Sequence, residues 1–129
     1  MNKKILVIED DPDVRLGYEM RLKANNYDTL FATDGYTSLV EAQKQPDLIL
    51  LDLGLPAGDG FSVMERLQAI PHLAMIPIIV VSARDAHANR ERALQAGAKA
   101  FLQKPVNNDE LLAVIRRYVK NTSGSAQEN

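Results

Sequence analysis

The chain has 129 residues, 46% hydrophobic and 25% charged, which suits one soluble domain with a single buried core. Fifteen basic residues against seventeen acidic ones leave a formal net charge of −2, so no general electrostatic case exists for nucleic acid or an anionic membrane as partner. The absence of cysteine excludes disulfides, thiolate chemistry and cysteine-based zinc sites, and the two histidines, His72 and His87, give little basis for a His-rich metal site.

Lys3-Lys4 before Ile5–Ile8 resembles the start of an export signal. The apolar run is only four residues long and ends in Glu9-Asp10-Asp11, too short for a signal or a membrane span, so a cytoplasmic protein is expected. Ile5–Ile8 is instead the first of five short apolar runs. Thr29–Thr33 is a weaker second, Leu48–Leu51 the third, Ile76–Val81 the fourth and Ala100–Leu102 the fifth. Runs one, three and four are rich in Val, Ile and Leu without alternation. Strands covered on both faces of a parallel sheet read this way.

Helix-period segments lie between the runs. Asp11-Pro12 reads as an N-cap with proline in the first turn; Val14, Tyr18 and Leu22 follow at i, i+4, i+8, and Asn25-Asn26 can end the helix. Asp34-Gly35 could be taken for a hairpin turn, but Leu39-Val40 and Ala42 after it look helical, and Gln45-Pro46-Asp47 stops that helix. Phe61, Met64 and Leu67 form a third stripe. His87 to Ala96 predicts a mostly polar fourth helix ending at Gly97. Asn107 with Glu110 resembles a capping box, and Leu111, Ile115 and Val119 form the last stripe.

Five strand–helix units therefore occupy most of the chain. Right-handed crossovers place helices on both faces of an open parallel sheet, a (βα)5 doubly wound α/β fold. Residues 121–129 lack large apolar side chains and are expected to be a disordered tail or linker stub, leaving 1–120 as the one domain.

Ligands of such sheets bind beyond the carboxyl ends of the strands. Run one ends there in Glu9-Asp10-Asp11, run three in Asp52 and run four in Ser82, and run five leads to Lys104-Pro105. Acids so close repel one another, and burial raises their pKa values. A hard divalent cation resolves the conflict, and Mg²⁺ suits one or two carboxylates with waters and a phosphate. Asp10 and Asp52 are the best ligand candidates; Glu9 could hold a metal-bound water, and the Gly54 backbone carbonyl offers a neutral oxygen. Lys104 can neutralise a phosphoryl oxygen, Ser82 can donate to one, and an aspartate can accept the group as a nucleophile. Taken singly, Glu9-Asp10-Asp11 reads as a solvated turn with Asp11 as cap, Ser82 as a cap or turn residue and Lys104-Pro105 as an exposed loop. Asp52 at the end of a buried run resists so plain a reading, and the four elements together, in this order, point to a site.

At this point the sequence resembles the receiver domain of two-component response regulators, the chemotaxis-regulator-like fold. The resemblance is carried by Ile-Leu-Val-Ile-Glu-Asp-Asp-Pro (5–12), Pro-Asp-Leu-Ile-Leu-Leu-Asp-Leu-Gly-Leu-Pro-Ala-Gly-Asp-Gly (46–60), Ile-Pro-Ile-Ile-Val-Val-Ser-Ala (76–83), Ala-Leu-Gln-Ala-Gly-Ala (93–98) and Phe-Leu-Gln-Lys-Pro (101–105), and it covers residues 3–119. It implies a flavodoxin-like three-layer sandwich with strand order 2-1-3-4-5. It also implies a signalling phosphoacceptor, not an enzyme beyond its own phosphorylation and slow dephosphorylation. Asp52 would take the phosphoryl group from a sensor histidine kinase or a phosphotransfer protein. Glu9 (through water), Asp10, Asp52 and the Gly54 carbonyl would hold Mg²⁺. Ser82 would move to bond the phosphoryl group, Lys104 would pair with it through a cis Lys104–Pro105 peptide, and Phe101 would be the switch aromatic, although it also reads as a plain core strand residue. The added charge would shift the surface of helix four, strand five and helix five towards a downstream target or a fused output domain.

Two positions depart from the commoner family pattern. Gly54 stands where a larger side chain is frequent, which leaves a phosphoryl group more open to water. Lys99-Ala100 stands where winged-helix regulators often carry two dimer-forming aspartates, so a monomer or a different, phosphorylation-dependent dimer is as expected as that one. Two other functions compete. A Mg²⁺-dependent phosphohydrolase of the haloacid dehalogenase-like class would place a second acid where Gly54 stands. A flavin- or nucleotide-binding protein would need a glycine- or hydroxyl-rich loop, not acids, after strand one.

Overall fold

The computed structural model describes residues 2–54, 60–83 and 86–119. Elements run in the order β1 (Lys4–Ile8), α1 (Pro12–Ala24), β2 (Asp28–Ala32), α2 (Gly35–Ala42), β3 (Leu48–Asp52), α3 (Gly60–Gln68), α4 (Pro71–Ala74), β4 (Ile78–Ser82), α5 (Ala86–Gln95), β5 (Ala100–Gln103) and α6 (Asn108–Tyr118). The five strands form one parallel sheet in the order β2-β1-β3-β4-β5, as the resemblance implies. The expected tail at 121–129, and residues 55–59 of the motif that begins at Pro46, lie outside the described residues.

Every residue of β3 and β4 is buried, because helices cover both faces of these central strands. Alternate side chains divide between two cores. Leu6, Ile8, Ile49, Leu51, Ile78, Val80 and Phe101 face Ala42 of α2, Val63, Met64 and Leu67 of α3, Leu73 of α4 and Ala93 of α5. Ile5, Val7, Leu48, Leu50, Ile79, Val81 and Leu102 face Tyr18 and Leu22 of α1 and Leu111 and Ile115 of α6. The weak second run is an edge strand with only Ala32 fully buried.

Helix ends follow their local chemistry. Asp11 caps α1, accepting from the backbone N–H groups of Asp13 and Val14, with Pro12 in the first turn. Asn26, with φ 68°, turns the chain out of α1. Asp34 caps α2 in a reciprocal box with Thr37, a pairing the sequence pattern does not announce because Thr replaces the usual Glu or Gln. The side chain of Asn107 accepts from the backbone N–H of Glu110 and opens α6. α5 ends at Gln95, and the turn after it passes through Gly97, whose φ of 113° favours glycine and where an added Cβ would collide with the Gln68 amide.

Two details differ from the sequence expectation. The buried face of α3 is Val63, Met64 and Leu67; Phe61 turns to the flank, where the Arg92 guanidinium lies 3.8 Å from its ring centre. The helix between α3 and β4, Pro71–Ala74, spans four residues, too few for a periodic signal, and buries Leu73 alone.

Candidate functional site

Strand register assembles the site. Ile8 pairs with Leu51, so Glu9 emerges beside Asp52. Asp52 pairs with Val81, so Ser82 lies one step further on, and Ser82 pairs with Gln103, so Lys104 follows it. The ladder continues beyond the strands: Glu9 N–H donates to Ala32 O, Leu53 N–H to Val81 O and Lys104 N–H to Ser82 O, at 3.0, 3.3 and 3.0 Å. The acids, the hydroxyl and the ammonium predicted to converge are therefore on one rim.

Glu9 is 2% exposed and Asp52 9%, whereas Asp10 faces solvent. Each buried carboxylate is gripped at both oxygens. Glu9 Oε2 accepts from the Asp11 backbone N–H at 3.2 Å, and its Oε1 accepts from Lys104 Nζ at 3.2 Å. Asp52 Oδ1 accepts from the Gly54 backbone N–H at 3.1 Å, and Oδ2 lies 3.5 Å from Lys104 Nζ. One ammonium thus bridges two carboxylates. Burial first, and then the charge of Asp52, push the Glu9 carboxyl above its ordinary value of 4.5. Burial works against the charge on Lys104, but Asp52 and Glu9 outweigh it and hold the ammonium above its ordinary 10.5.

A group missed by sequence reasoning holds the acidic turn in shape. Arg15 Nη1 donates to the carbonyls of Glu9 and Asp10, both at 3.1 Å. This clamps the backbone between β1 and α1 and leaves the carboxylates free for the rim. An arginine in the first turn after an acidic run is the only available signal, and it reads equally well as surface charge.

Glu9, Asp10 and Asp52 each offer a carboxylate oxygen within 4.8 Å of the others. Two of these acids, Glu9 and Asp52, share one lysine, and the carboxyl of Glu9, the more buried, is already pushed up. The donor set, all hard oxygen, fits Mg²⁺. Gly54 suits a crowded rim: a Cβ there would meet the Asp52 carboxylate oxygens at 3.6 and 3.8 Å, ordinary contact. Ser82 is buried at the end of β4, Phe101 is buried in the core on the α3–α5 side of the sheet, and the Lys104–Pro105 peptide is cis, as the resemblance implies.

Comparison with known proteins agrees with this fold. Residues 5–116 match the family model described as the response regulator receiver domain. The response regulator PleD of Caulobacter vibrioides is 39% identical over 118 residues, which is 90% of this chain and 26% of that protein. The DNA-binding dual master transcriptional regulator RpaA of Synechocystis is 37% identical over 120 residues, 92% of this chain and 50% of that protein. The chain thus spans about a quarter to a half of these relatives. Among solved structures, a putative response regulator from Chloroflexus aurantiacus superposes with a TM-score of 0.86 at 26% identity, covering 92% of this chain and 98% of that one. The receiver domain of a sensor histidine kinase from Pseudomonas aeruginosa, with a magnesium ion coordinated in its active-site cleft, superposes with a TM-score of 0.83 at 32% identity and the same coverage.

Proposed function

The chain belongs to the response regulator receiver domain family, and from that premise we propose that it is a phosphorylation-controlled switch whose phosphoacceptor is Asp52. The observation that carries this reading is the placement of the Lys104 ammonium between the buried carboxylates of Glu9 and Asp52 at the carboxyl edge of the sheet. The donor is a phosphohistidine on a sensor kinase or a phosphotransfer protein. An Asp52 carboxylate oxygen attacks phosphorus, an O–P bond forms as the histidine N–P bond breaks, and the histidine nitrogen keeps the electron pair and takes up a proton. Little covalent chemistry is asked of the protein beyond this. Its work is to position the groups and neutralise the charge.

Each group has a part in that work. The Gly54 N–H holds Asp52 by Oδ1, orienting its carboxylate. Lys104, already 3.5 Å from Oδ2, pairs with a phosphoryl oxygen, and Ser82 donates its hydroxyl to another. Glu9 through water, Asp10, Asp52 and the Gly54 carbonyl would hold Mg²⁺, which when bound neutralises charge on the phosphoryl oxygens. Arg15 keeps the acidic turn in place.

The output is a population shift. A phosphoryl group adds about −1.5 to −2 charge at the rim. Ser82 moves towards it, Phe101 repacks, and the surface of α5, β5 and α6 changes. The α5 part of that surface is lightly anchored: among the described side chains of α5, only Ala93 is fully buried. A downstream target or a fused output domain reads the change. Residues 1–120 form this unit, and no described helix is long and apolar enough to cross a membrane.

Beryllofluoride with Mg²⁺ tests the reading. It should shift many amide resonances of the wild type and none of Asp52→Asn; a wild-type spectrum without an Asp52-dependent response refutes it.

A further inference from the structure

Tyr18 lies on the face of α1 that packs against the sheet and is 4% exposed, among Ile5, Val7, Leu50 and Val81. Its side chain borders two spaces. One is a small void without room for a water, also lined by Glu9 and Asp52. The other is a surface groove of about 450 Å³, also lined by Lys104 and Pro105. The residue therefore stands between the acid cluster and the outer side of the lysine.

Its ring is covered by Arg21, whose guanidinium carbon lies 5.2 Å from the ring centre. Its hydroxyl has no hydrogen-bond partner among the described residues. Tyr18 also borders the surface groove, so its hydroxyl oxygen can accept from a donor in that groove's wall, of which Lys104 is part. A phenylalanine would fill the same space without that polar atom.

Lys104 has the complementary surplus. An ammonium carries three donors. One is spent on Glu9 Oε1 at 3.2 Å and a second faces Asp52 Oδ2 at 3.5 Å; the third has no protein acceptor among the described residues. Burial is the first cause holding the Tyr18 phenol above its ordinary pKa of 10.0, so it stays neutral near pH 7 with its oxygen lone pairs open.

We propose that Tyr18 is a positioning residue for Lys104, its phenol oxygen accepting an N–H of the ammonium once that ammonium turns from Glu9 towards a phosphoryl group on Asp52. This rests on the assignment of Asp52 as phosphoacceptor. The phenol then fixes the direction from which the lysine meets the phosphoryl oxygen. Tyr18 and Lys104 line the same groove, and their two spare hydrogen-bonding capacities satisfy each other only in the activated state.

The test uses the whole chain labelled with ¹³C at the tyrosine Cζ, with Tyr18→Phe identifying the Tyr18 resonance. Beryllofluoride and Mg²⁺ should move that resonance in the wild type and leave it in place in Asp52→Asn. Phosphorylation of Tyr18→Phe by acetyl phosphate should be slower by about three- to tenfold, the value of one ordinary hydrogen bond, at unchanged melting temperature. A Tyr18 resonance that stays fixed while backbone amides respond overturns the proposal alone, as does an unchanged rate. Amides that do not respond overturn it together with the Asp52 assignment.

Discussion

Lys104 Nζ donates to Glu9 Oε1 at 3.2 Å across 95 residues of sequence. The same ammonium lies 3.5 Å from Asp52 Oδ2. The pair joins the segment after β5 to the segment after β1, with the carboxylate at the end of β3 beside them. Removing the shared cation leaves two buried acids facing each other without compensation. Lys104→Ala should therefore slow phosphorylation from acetyl phosphate by about a hundredfold or more, the scale of losing one charge-stabilising donor. Rates within threefold of wild type would contradict this role.

Gly54 adds no side chain of its own beside the Asp52 carboxylate. A Cβ there meets Oδ1 and Oδ2 only at ordinary contact distances, so Gly54→Met should fold normally. Its side chain should screen the phosphoryl group from water and lengthen the phosphorylated lifetime. A phosphate-release assay measures this, and identical lifetimes count against it.

Gly60 and Gly17 should respond oppositely to alanine. At Gly60 a Cβ would lie 2.8 Å from the Leu53 Cα and 3.0 Å from the Asp52 carbonyl oxygen, so backbone must shift; a loss of about 1–3 kcal/mol is expected. At Gly17, within α1, the nearest atom is a flexible Arg21 nitrogen at 3.8 Å. Alanine there should stabilise by about 0.5–1 kcal/mol. Urea titrations of both variants decide it, and a stabilised Gly60→Ala would show that α3 does not press on β3 as described.

Asp34 predicts a pH dependence. Its carboxylate accepts from the backbone N–H and the hydroxyl of Thr37, which hold its pKa below the ordinary 3.8. A group with a depressed folded pKa stabilises fully above its unfolded pKa, and the benefit fades as pH falls towards the folded value. Asp34→Ala should therefore melt below wild type at pH 7, and the gap should narrow as the pH drops below about 4. A gap that is constant from pH 7 to pH 3 would show that the charge contributes nothing to the cap.

Much of this was legible in the sequence because its causes are local. Ile5–Ile8, Leu48–Leu51 and Ile76–Val81 read as doubly covered strands, and each holds one, although the third begins only at Ile78. Asp11-Pro12 read as a cap and first turn because capping needs only neighbouring atoms. Failures came where a neighbour from elsewhere decided the outcome. Phe61 fits the helical stripe of α3 as well as Val63 does, and only the position of Arg92 and the sheet selects Val63 for the core.

The site divides along the same line. The residue types at the strand ends, Glu9-Asp10, Asp52, Ser82 and Lys104, are in the sequence, and so is the charge conflict that makes a cation necessary. Which oxygen meets which donor is not, because that depends on strand register and on the clamp that Arg15 places on the acidic turn. Tyr18 is the clearest case. At i+4 from Val14 it is simply one residue of an apolar helical face. Packing α1 against β1 and β3 is what carries a phenol to the edge of the acid cluster, since local periodicity chooses a face of the helix but not what that face will meet.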